Sequence, residues 1–353
     1  MMIKLAVGMF LVLGLVGCSS AGQMQQHALG DKLGVSNQLL DNAPDKKANS
    51  YAANPQVQAF ITRLVEQDGF DKNALELAFS RIKIREKVIQ KSDNQPEVIT
   101  PYYEYSARFV NPQRIASGKA FAQKNKHWLL KAEKQYAVDW HVIVALIGVE
   151  TYYGRITGSK DVFTSLTTLA FDYPRRQAYF QNELRAYLLL ARENNWNIGA
   201  TKGSYTGAMG MVQFMPTNYR KLAVDYDGDG HIDLWQSDAD AIGSVANYLQ
   251  HHGWEYNQPY WVMASVEDPD AITEWVNHDR KPIKTAAQWS ALKVLPKQHF
   301  LNKKMGLVGL RTKADEVTYW LAYENFFTIM DYNPSRRYAM SVLALAENIG
   351  KND

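Results

Sequence analysis

The sequence contains a single cysteine, Cys18, so the chain cannot form an intramolecular disulfide bond. Its charges are nearly balanced, and a net charge of +3 over 353 residues gives no strong attraction for nucleic acid. No internal repeat is evident, and the histidines do not follow a spacing with carboxylates that is typical of a zinc site. These absences argue against a disulfide-rich scaffold, a nucleic-acid-binding protein and a zinc enzyme.

The N-terminus carries an uninterrupted run of apolar residues and glycine from Leu5 to Gly17. The run is too short to span a bilayer comfortably and is typical of a signal-peptide core. It ends in Leu-Val-Gly-Cys, which resembles the lipobox of bacterial lipoproteins. The resemblance implies cleavage before Cys18, acylation of that cysteine, and a stable membrane anchor. The alternative is an ordinary secretory signal with an incidental cysteine, and the four-residue match favours the lipoprotein.

The position after Cys18 is Ser19 rather than aspartate, which in this system indicates the outer membrane. Residues 1–18 are therefore predicted to be a lipoprotein signal peptide. Residues 19–50, rich in Gln, Asn, Ser and Lys, are predicted to be a flexible tether. We expect the folded part to lie on the periplasmic side of the outer membrane of a Gram-negative bacterium.

From Tyr51 onward the hydrophobic spacing predicts a folded protein of the mainly α (α+β) class. Residues 51–135 are predicted to form a helical domain, in which Tyr102 to Val110 is expected to be extended or irregular. Residues 136–253 are predicted to be a second, mostly helical region. Residues 254–320 are predicted to be a small mixed or β-containing subdomain, with edge-like pieces near Pro282 and Pro296. Residues 321–353 are expected to be a returning segment that ends in a helix.

The stretch Val142 to Thr151 is almost wholly apolar but contains one carboxylate, Glu150. Such a run predicts a buried helix, with Asp139 as its N-cap and Gly154 as its left-handed C-cap. Glu150 would then sit at the mouth of the core. Because desolvation raises the pKa of a carboxylic acid, Glu150 could hold a proton near neutral pH, as a general acid requires. A helix cap or an ion pair with arginine is the alternative, and the stretch alone does not decide between them.

The segment Asp225 to Asp233 places aspartates at positions 1, 3, 5 and 9 and glycine at position 6 of an EF-hand-like loop. The predicted calcium ligands are Asp225, Asp227 and Asp229, with the backbone carbonyl of His231. Position 12 is Gln236 instead of the usual bidentate glutamate, so Asp240 or Asp238 must supply the closing ligand. The missing glutamate favours a structural site over a sensor. An Asp-Gly turn solvated by water is the alternative.

A glycine-rich stretch from Lys202 to Gly210 is predicted to be a loop or tight turn, followed by a helix from Met211 to Tyr219 with Pro216 in its first turn. The small residues of Gly203 to Pro216 let the backbone approach a ligand closely. Ser204 and Gln213 offer neutral hydrogen bonds, which suit sugar hydroxyls and acetamides. On its own, a glycine loop before a helix is weak evidence.

Taken in order, these motifs resemble the membrane-bound lytic transglycosylase B family. The motifs are Glu150-Thr-x-x-Gly154, Phe171-Asp-Tyr-Pro-Arg-Arg176, Gly207-Ala-Met-Gly-x-x-Gln-Phe-Met-Pro216, the aspartate loop, and Ala241-Ile-Gly-Ser-Val-Ala-Asn-Tyr248. The resemblance implies that residues 136–253 form a lysozyme-like catalytic core with an EF-hand-like loop, flanked by a helical domain and a small β-containing domain. It also implies cleavage of the bond between N-acetylmuramic acid and N-acetylglucosamine in peptidoglycan, leaving a 1,6-anhydromuramyl end.

The resemblance also implies roles for individual residues. Glu150 matches the family's single catalytic acid and base. Asp240, which precedes Ala-Ile-Gly-Ser, matches the last calcium ligand, although the spacing from Trp235 is one residue longer than expected. The other matches are residues predicted to contact the glycan or its peptide: Ser204, Gln213, Phe214, Tyr248, Arg175, Arg176, Tyr332, Asn333, Tyr338 and Tyr105. For the arginine pair, a solvated pair is the alternative.

A single carboxylate favours a mechanism in which the substrate supplies its own nucleophile, because ordinary glycosidases use two carboxylates. The hypothesis is that Glu150 first protonates the bridging oxygen and then deprotonates the muramyl C6 hydroxyl. The alternatives are a hydrolytic muramidase on the same fold and a non-catalytic, calcium-stabilised lipoprotein that binds cell wall. We expect structural Ca²⁺, no organic cofactor, glycan strands and the membrane as partners, and a monomeric chain. Cell-wall synthesis proteins are further candidate partners.

Overall fold

The computed structural model describes residues 51–82, 89 and 100–351 of the chain. The predicted signal peptide, the tether and Cys18 lie outside the described residues. The described residues group into two compact units, residues 51–82 with 191–198, and residues 100–190 with 199–351. The second unit includes helices between residues 102 and 136, whereas the sequence predicts a single helical domain over residues 51–135.

The first unit contains two helices, α1 (Pro55–Asp68) and α2 (Lys72–Ser80). The side chains of Asn54 and Asp71 cap their N-termini by accepting hydrogen bonds from backbone N–H groups, as such residues commonly do. The rings of Phe60 and Phe79 meet edge to face with 6.3 Å between centroids. Arg192 joins this unit by donating to the Asp68 carbonyl at 2.7 Å.

The second unit is mainly helical. Its helices are α3 (Tyr102–Ala107), α4 (Pro112–Lys124), α5 (Lys126–Tyr136), α6 (Trp140–Thr151), α7 (Val162–Asp172), α8 (Gln177–Glu193, whose last residues belong to the first unit), α9 (Pro216–Leu222), α10 (Asp238–His251), α11 (Ala286–Ala291), α12 (Glu324–Tyr332) and α13 (Arg336–Gly350). Helix α6 is buried from Val142 to Val149 and packs against α4, α5, α10 and α13. Because it is surrounded, α6 can be apolar on every side.

The strands form two antiparallel sheets. A two-stranded ribbon pairs β1 (Lys160–Asp161) with β2 (Lys202–Gly203). A four-stranded sheet has the order β4-β3-β6-β5, from β3 (Trp261–Val266), β4 (Val294–Pro296), β5 (Gly306–Lys313) and β6 (Glu316–Ala322). The buried Trp289 of α11 packs on this sheet and donates its indole N–H to the Met305 carbonyl at 3.0 Å. Pro296 lies on the edge strand β4, as its missing N–H requires.

The predicted fold class, mainly helical with a small sheet, is confirmed. The prediction of an extended or irregular Tyr102–Val110 is wrong, because Tyr102–Ala107 is helical. Tyr105 is 3% exposed and packs on Phe109 with 5.1 Å between ring centroids. Burial of one helical face therefore outweighs the strand preference of the aromatic residues. Within the described part of the chain, no helix is both long and apolar enough to cross a bilayer.

Candidate active site

Helix α6 brings Glu150 to the edge of the core, where the side chain is half-buried. Asp139 precedes the helix, as predicted for an N-cap, but its carboxylate does not cap it. The carboxylate accepts hydrogen bonds from the Trp254 indole N–H at 2.8 Å and from the Asn257 backbone N–H at 3.2 Å. The carboxylate that would otherwise cap the helix is instead bonded to the buried Trp254 indole and to the Asn257 backbone.

The turn after Glu150 has an unusual backbone. The left-handed region was predicted for Gly154 alone, but it begins two residues earlier, with φ of 55° at Tyr152, 59° at Tyr153 and 83° at Gly154. Left-handed φ values are strained for bulky residues and persist where the surroundings hold them. Thr151 contributes by accepting from the Gly154 N–H at 3.0 Å and donating to the Met211 carbonyl at 2.7 Å.

Tyr153 fills a notch between α4 and α6. A β-carbon at Gly118 would lie 2.5 Å from the Tyr153 hydroxyl oxygen, and one at Gly148 would lie 2.7 Å from its ring. The two glycines therefore leave the space that the ring occupies. The Tyr153 hydroxyl donates to the Arg114 carbonyl at 2.8 Å.

The side chain of Arg114 supports the same turn. Its guanidinium donates to the Gly148 carbonyl near the end of α6 and lies 4.5 Å from the centroid of the Tyr152 ring. A cation at the C-terminal end of a helix is favoured by the helix dipole. The turn that follows Glu150 is thus fixed by α4 as well as by α6.

Tyr338 contacts Glu150 directly. Its hydroxyl donates a hydrogen bond to Glu150 Oε1, and the residue is 3% exposed. Burial, followed by the nearby charge of Glu150, raises the pKa of Tyr338 well above its usual value. Tyr338 therefore keeps its proton and acts as a donor. Ser335 caps α13 by accepting from the Tyr338 backbone N–H at 3.3 Å.

Tyr332 lies in the same cluster. Its hydroxyl donates to the Val212 carbonyl, which fixes the glycine-rich segment next to α12. Burial and then the charge of Glu150 raise the pKa of Tyr332 well above its usual value. Tyr332 and Tyr338 thus place two protonated phenols near one carboxylate.

Ser204 and Gln213 are half-buried and brace the glycine-rich segment. Ser204 Oγ accepts from the Ala208 N–H at 3.0 Å. Gln213 has a left-handed φ of 50°, and its amide nitrogen donates to the carbonyls of Thr157 at 3.0 Å and Gly210 at 2.9 Å. Ser204 thus makes its contact within the segment, whereas Gln213 also ties the segment to Thr157.

Phe214 and Tyr248 are more deeply buried than groove-lining residues would be, at 1% and 2% exposure. Their ring centroids are 5.6 Å apart, and those of Tyr248 and Tyr332 are 4.7 Å apart. The structure therefore brings these predicted site residues together as an aromatic layer with Tyr332.

The remaining predicted contacts are more dispersed. Arg175 and Arg176 are exposed, and the Arg176 guanidinium lies 4.1 Å from the centroid of the Tyr179 ring. Asn333 turns its side-chain oxygen toward the Ser335 N–H at 3.1 Å. Tyr105 is buried and close enough to Tyr338 to raise the pKa of that residue further.

Several residues that support this site are not among the predicted ones, namely Thr151, Tyr153, Arg114 and Glu183. Glu183 carries a buried carboxylate, at 2% exposure. It accepts hydrogen bonds from the Thr217 N–H at 2.9 Å and hydroxyl at 2.7 Å, at the start of α9. Burial raises its pKa, and the two bonds from Thr217 act in the opposite direction. No local pattern identifies Glu183, because Thr217 is remote in sequence.

The aspartate loop brings Asp225, Asp227 and Asp229 together, with one oxygen of each within 4.8 Å of the others. Asp225 accepts from the backbone N–H groups of Gly228 at 2.8 Å and Gly230 at 2.9 Å. Three carboxylates on a tight loop fit a hard divalent cation such as Ca²⁺.

The two predicted closing ligands make other contacts. Asp240 is 1% exposed and accepts from the Tyr226 and Asp233 backbone N–H groups, both at 2.7 Å. Asp238 accepts from the Lys124 ammonium at 2.6 Å and the Asn125 amide at 2.9 Å. Neither is grouped with the three aspartates. Ser237 reaches the loop instead, donating to Asp227 Oδ2 at 2.8 Å.

Residues 52–347 match the family described as the Transglycosylase SLT domain, and the chain belongs to this family. The predicted family is therefore confirmed, as are the lysozyme-like fold and the enzyme class, lytic transglycosylase.

Three relatives illustrate the likeness. The membrane-bound lytic murein transglycosylase B of Escherichia coli is 36% identical over 308 residues, covering 85% of this chain and 84% of the relative. The Escherichia coli lytic transglycosylase Slt35, in its structure in complex with calcium, has 36% sequence identity to this chain. The TM-score is 0.76, and the match covers 87% of this chain and 97% of Slt35. SltB3 from Pseudomonas aeruginosa, in complex with NAG-NAM-pentapeptide, is 29% identical, with a TM-score of 0.72 over 86% and 80% of the two chains.

Proposed function

We propose that this enzyme cleaves the β-1,4 bond between N-acetylmuramic acid and N-acetylglucosamine in peptidoglycan and forms a 1,6-anhydromuramyl end. The observation that carries the proposal is the pairing of Glu150 with Tyr338 at the end of a buried helix. The family membership and the relative that binds NAG-NAM-pentapeptide support peptidoglycan as the substrate.

The reaction has two steps, both carried by Glu150. In the first, the protonated acid gives its proton to the bridging oxygen, and the bond from the muramyl C1 to that oxygen breaks. The substrate's acetamide stabilises the positive charge that develops at C1. In the second, the Glu150 carboxylate takes the proton of the C6 hydroxyl, whose oxygen bonds to C1. The acid is regenerated and no water is consumed.

One carboxylate suffices because the nucleophile is tethered to the sugar and need not be positioned as a separate water. Glu183 does not serve as a second catalytic carboxylate in this proposal, since both of its oxygens accept hydrogen bonds from Thr217. Tyr338 holds the Glu150 carboxyl group in place through its hydrogen bond.

The glycan would be held by the residues around this pair. Ser204 and Gln213 lie on a loop whose geometry their own hydrogen bonds set, so they would both shape the loop and meet the sugar. The buried Phe214 ring would anchor that loop by packing on Tyr248 and Tyr332. The exposed Arg175 and Arg176 suit the lactyl or stem-peptide carboxylates. Asn333 would add a further contact, and the buried Tyr105 would act through its neighbour Tyr338.

Mass spectrometry of soluble muropeptides tests the proposal. Purified peptidoglycan is digested with protein lacking residues 1–18 and, in parallel, with its Glu150→Gln variant. We expect products one water lighter than hydrolysis products, with release slowed about 10²- to 10⁴-fold or more in the variant. Products with reducing ends would indicate a muramidase, and no release by either protein would indicate a wall-binding lipoprotein. A fully active variant would contradict the role of Glu150.

We also propose that Asp225, Asp227 and Asp229 bind a structural Ca²⁺, with the His231 carbonyl and Asp240 or Asp238 as further ligands. The clustered carboxylates and the calcium complex of a relative support this proposal. Binding stabilises the folded state by about 2.7 kcal/mol at a concentration of 100 times Kd. Calcium should therefore raise the Tm of chelator-treated protein by several degrees, in wild type but not in Asp225→Asn/Asp229→Asn. Asp315→Asn, on the β5–β6 turn, is the control, and an equal shift in all three proteins would exclude the site.

The chain is further proposed to be anchored at the periplasmic side of the outer membrane through acylated Cys18. The Leu-Val-Gly-Cys sequence and the membrane-bound relative support the anchor. Labelled fatty acid should be incorporated by wild type and not by Cys18→Ala, and the variant should be released into the soluble fraction. Equal membrane retention of both proteins would contradict the anchor.

A further inference from the structure

A cavity of about 380 Å³ lies between four helices on a different part of the second unit from the Glu150 cluster. Its walls come from α4, α5, the start of α6 and the end of α13. The apolar part of the lining comprises Ala122, Leu129, Leu130, Trp140 and Ile349. Leu129 and Ile349 are buried, whereas Leu130 is 48% exposed, a large fraction for a leucine beside a cavity.

The rim of the cavity is cationic. Lys119, Lys126 and Lys351 line it, and none of the described lining residues is acidic. Two carboxylates lie nearby: Glu133 accepts from the Trp140 backbone N–H at 3.3 Å, and the Lys351 charge acts on Glu347. Lys126 and Lys351 are exposed, so their ammonium groups can meet an incoming acidic group.

We propose that this cavity, the lysine-rimmed pocket, docks an acidic amphipathic segment of another protein. Apolar side chains of the segment would enter against Leu130 and Trp140, and flanking Asp or Glu residues would face Lys126 and Lys351. Protein interfaces often combine an apolar centre with complementary charges at the rim, which give the interaction its specificity. The volume falls within the range of about 300–1,000 Å³ typical of ligand pockets, and a concave site suits a projecting segment better than a flat bilayer.

The position of the lysine-rimmed pocket makes docking compatible with catalysis. Trp140 begins α6 and Glu150 lies ten residues later, so the two are separated by about 15 Å along the helix. Helix α13 likewise runs from Tyr338, in contact with Glu150, to Ile349 in the pocket wall. A bound partner would touch the far ends of both helices without covering the acid. The proposal therefore does not depend on the reaction assigned to Glu150.

Site-specific photocrosslinking in cells that make the full-length protein tests the proposal. A photoreactive amino acid replaces Leu130, and in a matched control it replaces Leu295, which is 39% exposed on the edge strand β4. We expect a protein adduct at Leu130 and not at Leu295. The crosslinked segment, identified by mass spectrometry, should carry apolar residues at helical spacing among Asp and Glu.

The lysines are tested in the same experiment. Lys126→Glu/Lys351→Glu should lower the adduct yield roughly tenfold, because reversed charges repel the acidic segment, whereas Lys126→Arg/Lys351→Arg should preserve it. The purified charge-reversed protein should release muropeptides at the wild-type rate, which shows that it is folded. The proposal is overturned by an absent adduct, a lipid adduct, an adduct with a second copy of this chain, a segment without acidic residues, or a yield insensitive to charge reversal.

Discussion

The two ends of helix α6 use their polar groups in different ways. At its start, the Asp139 carboxylate accepts from Trp254 and Asn257, and the His141 ring lies 2.9 Å from the Tyr260 hydroxyl. These contacts fasten the segment that leads into the four-stranded sheet. At its end, Glu150 meets the Tyr338 hydroxyl, and the backbone turns left-handed immediately afterwards.

The contacts at the start of α6 therefore serve stability, and those at its end serve the proposed function. The start is an ordinary buried polar network, in which each bond stabilises the fold. The end has backbone strain, which Thr151, Tyr153 and Arg114 hold in place through their contacts. Changes at the start should therefore affect unfolding more than activity, and changes at the end should affect activity more than unfolding.

The largest expected effect on stability comes from Asp139→Ala. The change removes the acceptor of the buried Trp254 indole N–H and of the backbone N–H of the exposed residue Asn257. Because a buried donor without an acceptor is costly, we expect the free energy of unfolding to fall by about 1–3 kcal/mol, measured by urea unfolding followed by tryptophan fluorescence. Activity per folded molecule should be retained. Asp139→Asn keeps one acceptor oxygen and should lose less unfolding free energy than Asp139→Ala. Equal losses in the two variants would argue against this hydrogen-bond network.

At the other end, Tyr338→Phe should lower the rate of muropeptide release by about 10- to 100-fold while changing the free energy of unfolding by no more than about 1.5 kcal/mol. The ring remains, but the hydrogen bond from the Tyr338 hydroxyl to Glu150 Oε1 is lost. Tyr332→Phe is the matched control, since its hydroxyl donates to the Val212 carbonyl instead. If both variants slowed release equally, Tyr338 would have no special role toward Glu150.

The sequence predicts the helix that carries Glu150 because an unbroken apolar run has few other structural solutions. It also predicts the aspartate loop, since all of its carboxylates lie within one short segment. The turn after Glu150 was not predictable to the residue, because Tyr152 and Tyr153 are left-handed only through contacts with α4. The same limit applies to Asp139 and Glu183, whose hydrogen-bond partners are distant in sequence.

Gly148→Ala tests whether the notch for Tyr153 is required. Alanine is favoured over glycine in a helix by about 0.5–1 kcal/mol, but the new β-carbon would lie 2.7 Å from the Tyr153 ring. Overpacking of this kind costs about 1–3 kcal/mol, so we expect a net loss of stability of about 1–2 kcal/mol. In a Tyr153→Ala background the same substitution should no longer destabilise. A Gly148→Ala variant as stable as wild type would show that the ring has room to move.

The smallest expected effect is the pH dependence contributed by His141. Burial lowers its pKa, and the nearby Asp139 acts in the opposite direction. Because the folded-state pKa lies below the unfolded one, the unfolded chain binds the proton first as the pH falls. The stability that neutral His141 contributes is therefore present above pH about 6.5 and is lost below it. Between pH 7.5 and 5.5, wild type should lose up to about 1 kcal/mol more unfolding free energy than His141→Gln, which does not titrate. Identical losses in urea titrations would mean that the start of α6 is insensitive to the charge on this histidine.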